Sequence, residues 1–234
     1  MVSSMRCLQS PGRAKCNLGA AMVLLACAAV TAQAQDDTSA SAQPNEHRAV
    51  DTVKFLTGAG AALVAHEGGH LTFDLIFDAK PRLEGVHFGP FPFFALTHRS
   101  GLSPRREFTI SSAGFWVQEG TDEWLLDASR CGSGLRACDG AWFAKGMLAF
   151  NVLNSVGYAL VAFAKAGPSE RDTRGMADSV DVDERAIGAL VLTPALLDAY
   201  RYINPNARWA AWTSRLVKAG SVLLVLRQTS SSRR

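Results

Sequence analysis

Five consecutive residues, His66-Glu67-Gly68-Gly69-His70, carry the pattern H-E-x-x-H. On a helix, positions i and i+4 lie one turn apart on a single face, so both imidazoles can reach one metal ion, and zinc suits that spacing. Glu67 then lies beside the metal rather than on it. From there a carboxylate can take a proton from water made acidic by the metal and pass it to a leaving amine, which is peptide hydrolysis. Gly68 and Gly69 each cost a helix about 1 kcal/mol against alanine, and they leave room for a substrate or for a close helix. The competing reading of the five residues is an ordinary polar helix face.

A catalytic zinc needs a third protein ligand. Asp198 is the leading candidate, because it is a lone carboxylate in the otherwise apolar run Leu192-Thr193-Pro194-Ala195-Leu196-Leu197-Asp198-Ala199-Tyr200. Asp198 and His66 each sit roughly 18 Å along their helices, at about 1.5 Å per residue, so the two can meet at mid-membrane depth. Glu119 and Glu123 are the rival ligands, and Arg201, at helical spacing, is the rival partner for Asp198. Asp74, one turn past His70, reads as a hydrogen-bond acceptor for an imidazole N–H or as a helix-end charge. His87 and His98 fall in an arginine-rich loop and read as solvated residues. Ser111 and Ser112 show no nucleophile-elbow pattern.

The elements that must position these residues are apolar. Hydrophobic residues make up 48% of the 234 and charged residues 19%, a low charge share for a soluble domain. The stretch 55–77, which contains the motif, is long enough to span a bilayer, and 108–126, 141–164, 186–203 and 209–226 follow it. The expectation is an all-α, polytopic helical membrane protein of about five transmembrane helices, with a membrane domain at 52–227 and a cytoplasmic tail at 228–234. Residues 78–107, rich in Pro, Gly and Arg, read as a loop or re-entrant segment. With residue 50 outside, the inside loops and tail hold twelve Lys and Arg against four outside, as the positive-inside rule requires. A net charge of +3 with no basic stripe excludes nucleic acid as a partner, leaving membrane lipid and a peptide or membrane-protein substrate.

Arg6, Arg13 and Lys15, an uncharged run from Leu18 to Val30 and the small-residue site Ala32-Gln33-Ala34 read as a cleaved signal peptide over 1–34. The alternatives are a retained first helix and a lipoprotein box with Cys27 acylated. The mature N-terminus then lies outside the cell membrane, or in the periplasm, followed by a disordered leader over 35–51. Removal of the signal leaves Cys131 and Cys138 to form one disulfide in an oxidising compartment, or to stay as two thiols in a cytoplasmic loop.

Three segments together resemble the site-2 protease group of intramembrane zinc metalloproteases. Ala65-His-Glu-Gly-Gly-His70 looks like that family's H-E-x-x-H helix. Leu196-Leu197-Asp198-Ala199 is similar to its Leu-Asp-Gly motif, which supplies the third zinc ligand, and Ala113-Gly114-Phe115-Trp116-Val117-Gln118 is similar in spacing to its A-G-P-x-x-N element. The resemblance covers roughly residues 52–203 and implies cleavage of membrane-spanning substrates in or near the bilayer. A non-enzymatic integral membrane protein, acting as scaffold or partner-binding subunit, is the alternative function.

Overall fold

The structure is a computed structural model that describes residues 45–88, 91–127 and 134–231. It is mostly helical, as the composition leads one to expect, with six α-helices among the described residues. They are α1 (Asn45–Ile76), α2 (Pro104–Asp127), α3 (Trp142–Ala164), α4 (Asp172–Val180), α5 (Glu184–Ile203) and α6 (Arg208–Ser231), with a short 3-10 turn at Leu135–Ala137. The signal-peptide segment 1–34 and Cys131 lie outside the described residues. Cys138, the one cysteine within them, is disulfide-bonded.

Helix α1 begins earlier than the leader expected over 35–51 allows. Asn45 to Asp51 continue the helix outward, with Thr52 donating to the Arg48 carbonyl and Asp51 pairing with Lys54 one turn on. A polar composition therefore did not prevent helix here, because the segment grows on an already nucleated helix and needs no core of its own. At its other end α1 stops at two residues in left-handed backbone, Asp78 and Lys80.

Two strands, β1 (Arg82–Phe88) and β2 (Phe91–Thr97), pair antiparallel where the Pro, Gly and Arg content suggested a loop or re-entrant segment. In a two-stranded ribbon both strands are edges, where proline is tolerated, and Val, Phe and Thr supply strand propensity. The base of the hairpin is tied down. Ala79 N–H donates to the Asp74 carbonyl and Arg99 N–H to the Ala79 carbonyl, at 2.8 and 2.9 Å.

Helix α3 lies against α1 on one side and α5 on the other, while α2 packs on α1 and carries α4, and α6 docks on α5. The α1–α3 contact is backbone to backbone: a Cβ at Gly58 would stand 2.0 Å from the Phe143 carbonyl oxygen, and one at Gly146 2.0 Å from that of Phe55. Such close approach through small residues is how helices associate when there is little apolar surface to hide between them. The largest apolar core joins Phe108 and Phe115 of α2 to Met176 and Ala177 of α4 and to Ile187 and Val191 of α5. It fixes α4, a helix of nine residues, against the middle of the bundle. By length and composition, α3 and α5 are the two helices able to cross a membrane among the described residues.

Candidate metal centre

His66 and His70 point from α1 toward α2 and are 1% and 5% exposed, so the pair is not a solvated polar face. Their Nε2 atoms are 3.2 Å apart. A single carboxylate oxygen, Oδ2 of Asp172, lies 3.3 Å from each. These three atoms form a nearly equilateral triangle, and a tetrahedral zinc with bonds of 2.0–2.1 Å has ligand atoms about 3.3–3.4 Å apart, so the triangle has the size of one tetrahedron face.

The far side of the His70 ring decides which of its nitrogens faces the centre. His70 Nδ1 stands 2.7 Å from the Ile110 carbonyl oxygen, which can only accept, so Nδ1 carries the proton and Nε2 keeps its lone pair for the shared centre. The His66 ring is set by packing instead: it lies edge-on to Phe115 and stacks on Tyr158 at 6.1 Å. The Tyr158 side chain in turn faces the Asp172 carboxylate. Two imidazoles in van der Waals range of α2 require an absent side chain there, and Gly114 provides it. A Cβ on Gly114 would stand 2.5 Å from both His66 Cε1 and His70 Nε2.

Asp172 is the first residue of α4 and is presented by a pinned loop. Arg171 bonds Glu184 through Nε and Nη2 at 2.6 and 2.5 Å and the Pro168 carbonyl at 2.7 Å, while the Thr173 hydroxyl donates to the same Glu184. Burial raises the pKa of Asp172, but the adjacent His70 and His66 outweigh it, and the carboxyl is held well below the usual range, ionised as a metal ligand must be. Glu67, half-buried and next to His66 in the chain, feels His66, His70 and Asp172 electrostatically without taking part in the triangle. Of the two glycines in the motif, Gly69 permits the close helix, with Ala113 oxygen 2.8 Å from where its Cβ would be, and Gly68 faces open space.

The expected third ligand is elsewhere. Asp198 is 1% exposed and accepts from Lys218 Nζ at 2.6 Å, Ser214 Oγ at 2.8 Å and Arg201 Nη1 at 3.0 Å. Those three donors occupy both of its oxygens, and the pairing with Arg201 that rivalled metal binding is the one formed. Glu123 belongs to the same network, bonding Arg201, Lys218 at 2.7 Å and Arg215 at 3.0 Å. Glu119 meets it through its backbone carbonyl, which accepts from Lys218 at 3.4 Å. Neither glutamate joins the imidazoles: the one His, Asp or Glu group among the described residues with metal-holding geometry is His66, His70 and Asp172. Sequence reasoning missed Asp172 because it is one of several charges in a loop-like stretch, and nothing local separates it from Glu170 or Asp178.

No protein-family model, curated protein or solved structure matches this chain. The site must therefore be read from its own geometry. Of the three segments that carry the resemblance to site-2 proteases, the H-E-x-x-H helix and the segment containing Gly114 meet at the triangle, and the one containing Asp198 does not.

His98 also departs from expectation, being drawn in rather than solvated. Its Nε2 bonds Glu107 Oε2 at 3.0 Å, and its Nδ1 stands 3.4 Å from Asp74 Oδ1, a charge contact without a hydrogen bond, so the buried Asp74 carboxylate accepts from neither histidine. The Glu107 hydrogen bond raises the His98 pKa against the effect of burial and ties the hairpin base to α2. A small cavity of about 150 Å³ opens beneath that contact, lined by His98 and Glu107 on one side and by His70 and Asp172 on the other. The structure describes only the backbone at His87.

Gly114 offers a direct check on this packing. Gly114→Ala is expected to weaken metal binding about 10–100-fold, the range for changes that disturb ligand orientation. Gly120→Ala, on the same helix with nothing within 4 Å of the added methyl, should leave affinity unchanged. Competition against a chelator measures both, and equal affinity in the two variants would show that the imidazoles do not rest on α2.

Proposed function

We propose that this chain is a membrane-embedded zinc peptidase in which His66, His70 and Asp172 hold the ion and Glu67 is the general base. One observation carries the reading: three ligand atoms separated by 3.2, 3.3 and 3.3 Å, in a setting that commits His70 Nδ1 to Ile110 and leaves its Nε2 free to ligate. Three protein ligands leave a fourth position for water, the arrangement of hydrolytic rather than structural zinc. When bound, such an ion supplies Lewis-acid activation of water at neutral pH. Glu67, beside but outside the triangle, accepts the proton of the attacking water and returns it to the leaving nitrogen.

The membrane part of the proposal is supported by an inverted distribution of residues. Leu56, Val64, Leu75 and Leu216 are 62–72% exposed, while His66, Asp74, Asp122, Asp198 and Lys218 are buried. Exposed large aliphatic side chains around a buried charged interior suit a lipid surround. The two span-length helices, α3 and α5, agree with it, and the other helices would complete the bundle around them. The same surround makes a peptide in or near the bilayer the substrate.

The test uses the full chain purified in detergent. Wild type is expected to hold about one zinc per chain and to cleave a peptide substrate, and Glu67→Gln to keep the zinc while losing about 10²–10⁴-fold in cleavage rate. Purified protein without stoichiometric metal, or a Glu67→Gln variant as fast as wild type, overturns the proposal.

A further inference from the structure

A second cavity shares no lining residue with the His66, His70 and Asp172 triangle. It is a half-open groove of about 560 Å³ where the end of α1 meets α2 and α6, the size of a small-molecule site. Its walls divide by chemistry. Phe73, Phe77, Trp116 and Val222 make an apolar channel, and Arg105 and Arg106, in the first turn of α2, stand at one end. Phe73 meets Trp116 edge-on at 6.0 Å, so the rings form a continuous wall. Arg106 lies over the Phe77 ring, Cζ 5.5 Å from its centroid, rather than against a carboxylate, and Arg105 is exposed beside it.

The channel runs along α2 for the ten residues from Arg106 to Trp116, about 15 Å at 1.5 Å per residue. That is half of a hydrocarbon core about 30 Å thick, the depth of one leaflet. An occupant must therefore be apolar over one leaflet's depth and anionic at the end where the Arg105 and Arg106 side chains stand. A free anion would leave the aromatic wall unused, and a neutral lipid would leave the arginines unused.

We propose that this groove is a binding site for an anionic phospholipid, with its phosphate on Arg105 and Arg106 and one acyl chain along Phe73, Phe77 and Trp116. The site rests on the membrane reading given above and is independent of the zinc. It places a bound lipid against the helix whose opposite side, at Gly114, supports the two imidazoles.

The full chain is placed in phosphatidylcholine nanodiscs containing a small fraction of phosphatidylglycerol with brominated acyl chains, which quench tryptophan on contact. With roughly fivefold preference per arginine, quenching in wild type should correspond to enrichment of the anionic lipid on the order of twentyfold over brominated phosphatidylcholine. The enrichment should vanish in Arg105→Gln/Arg106→Gln, whose exposed positions leave folding intact, and the excess quenching should vanish in Trp116→Phe. Equal quenching by the two lipids, or enrichment that survives the double variant, overturns the site. Suppression of the excess by inorganic phosphate makes it a phosphate site and overturns the lipid assignment. A chain that does not enter nanodiscs at all overturns the membrane reading instead.

Discussion

On the proposed zinc assignment, Asp172→Ala is expected to strip the chain of stoichiometric zinc and of the proposed peptidase activity, whereas Asp198→Asn should retain about one zinc per folded chain. The contrast is large because the two carboxylates do different work. Asp172 Oδ2 is equidistant from the two Nε2 atoms at 3.3 Å, and its removal leaves two neutral nitrogen ligands where a catalytic site needs three. Asp198 is already bonded to Lys218, Ser214 and Arg201, and no ligand of the triangle is among its partners. Metal analysis per folded chain, after gel filtration in detergent, reads the outcome. Loss of zinc from Asp198→Asn together with its retention in Asp172→Ala would restore the order that the sequence suggested.

Lys218→Met is expected to cost about 3–5 kcal/mol of stability, the penalty for removing one partner of a buried ion pair. Lys218 is 7% exposed, and its ammonium lies between Asp198 Oδ2 at 2.6 Å and Glu123 Oε1 at 2.7 Å. Taking it away leaves Asp198 with Arg201 and Ser214 alone, in surroundings with little water to take up the charge. The loss also loosens α6, which the network fastens to α2 and α5. Thermal melting in detergent measures it, with Lys80→Met as control: Lys80 pairs with Asp78 on the exposed surface, and its loss should leave the melting curve in place. A Lys218→Met curve that coincides with the control would mean that water reaches the network.

Much of this protein was legible in the amino-acid order. H-E-x-x-H places two imidazoles on one face by the 3.6-residue period alone, and the surrounding apolar stretches specify helices because long hydrophobic runs have few other ways to satisfy their backbone. Gly114 was in view as part of a motif, although its reason, the space for two rings, was not.

What the tertiary structure decided lies in the contacts between segments. Asp198 is the more conspicuous carboxylate in sequence, alone in an apolar run, yet its oddity reflects an ion pair with Lys218, twenty residues away on the next helix. Asp172 is inconspicuous because it lies among charges, and it gains its role only when the Phe108, Met176 and Ile187 core presses the start of α4 against His66 and His70. The hairpin at 82–97 was hidden for a related reason, since a proline at an edge position is invisible as an edge until its one partner strand is known. The His66 to His70 spacing is thus a property of one helix and can be read from it. The carboxylate that completes the triangle is a property of how α1, α2 and α4 pack, and spacing along the chain carries no information about distances across it.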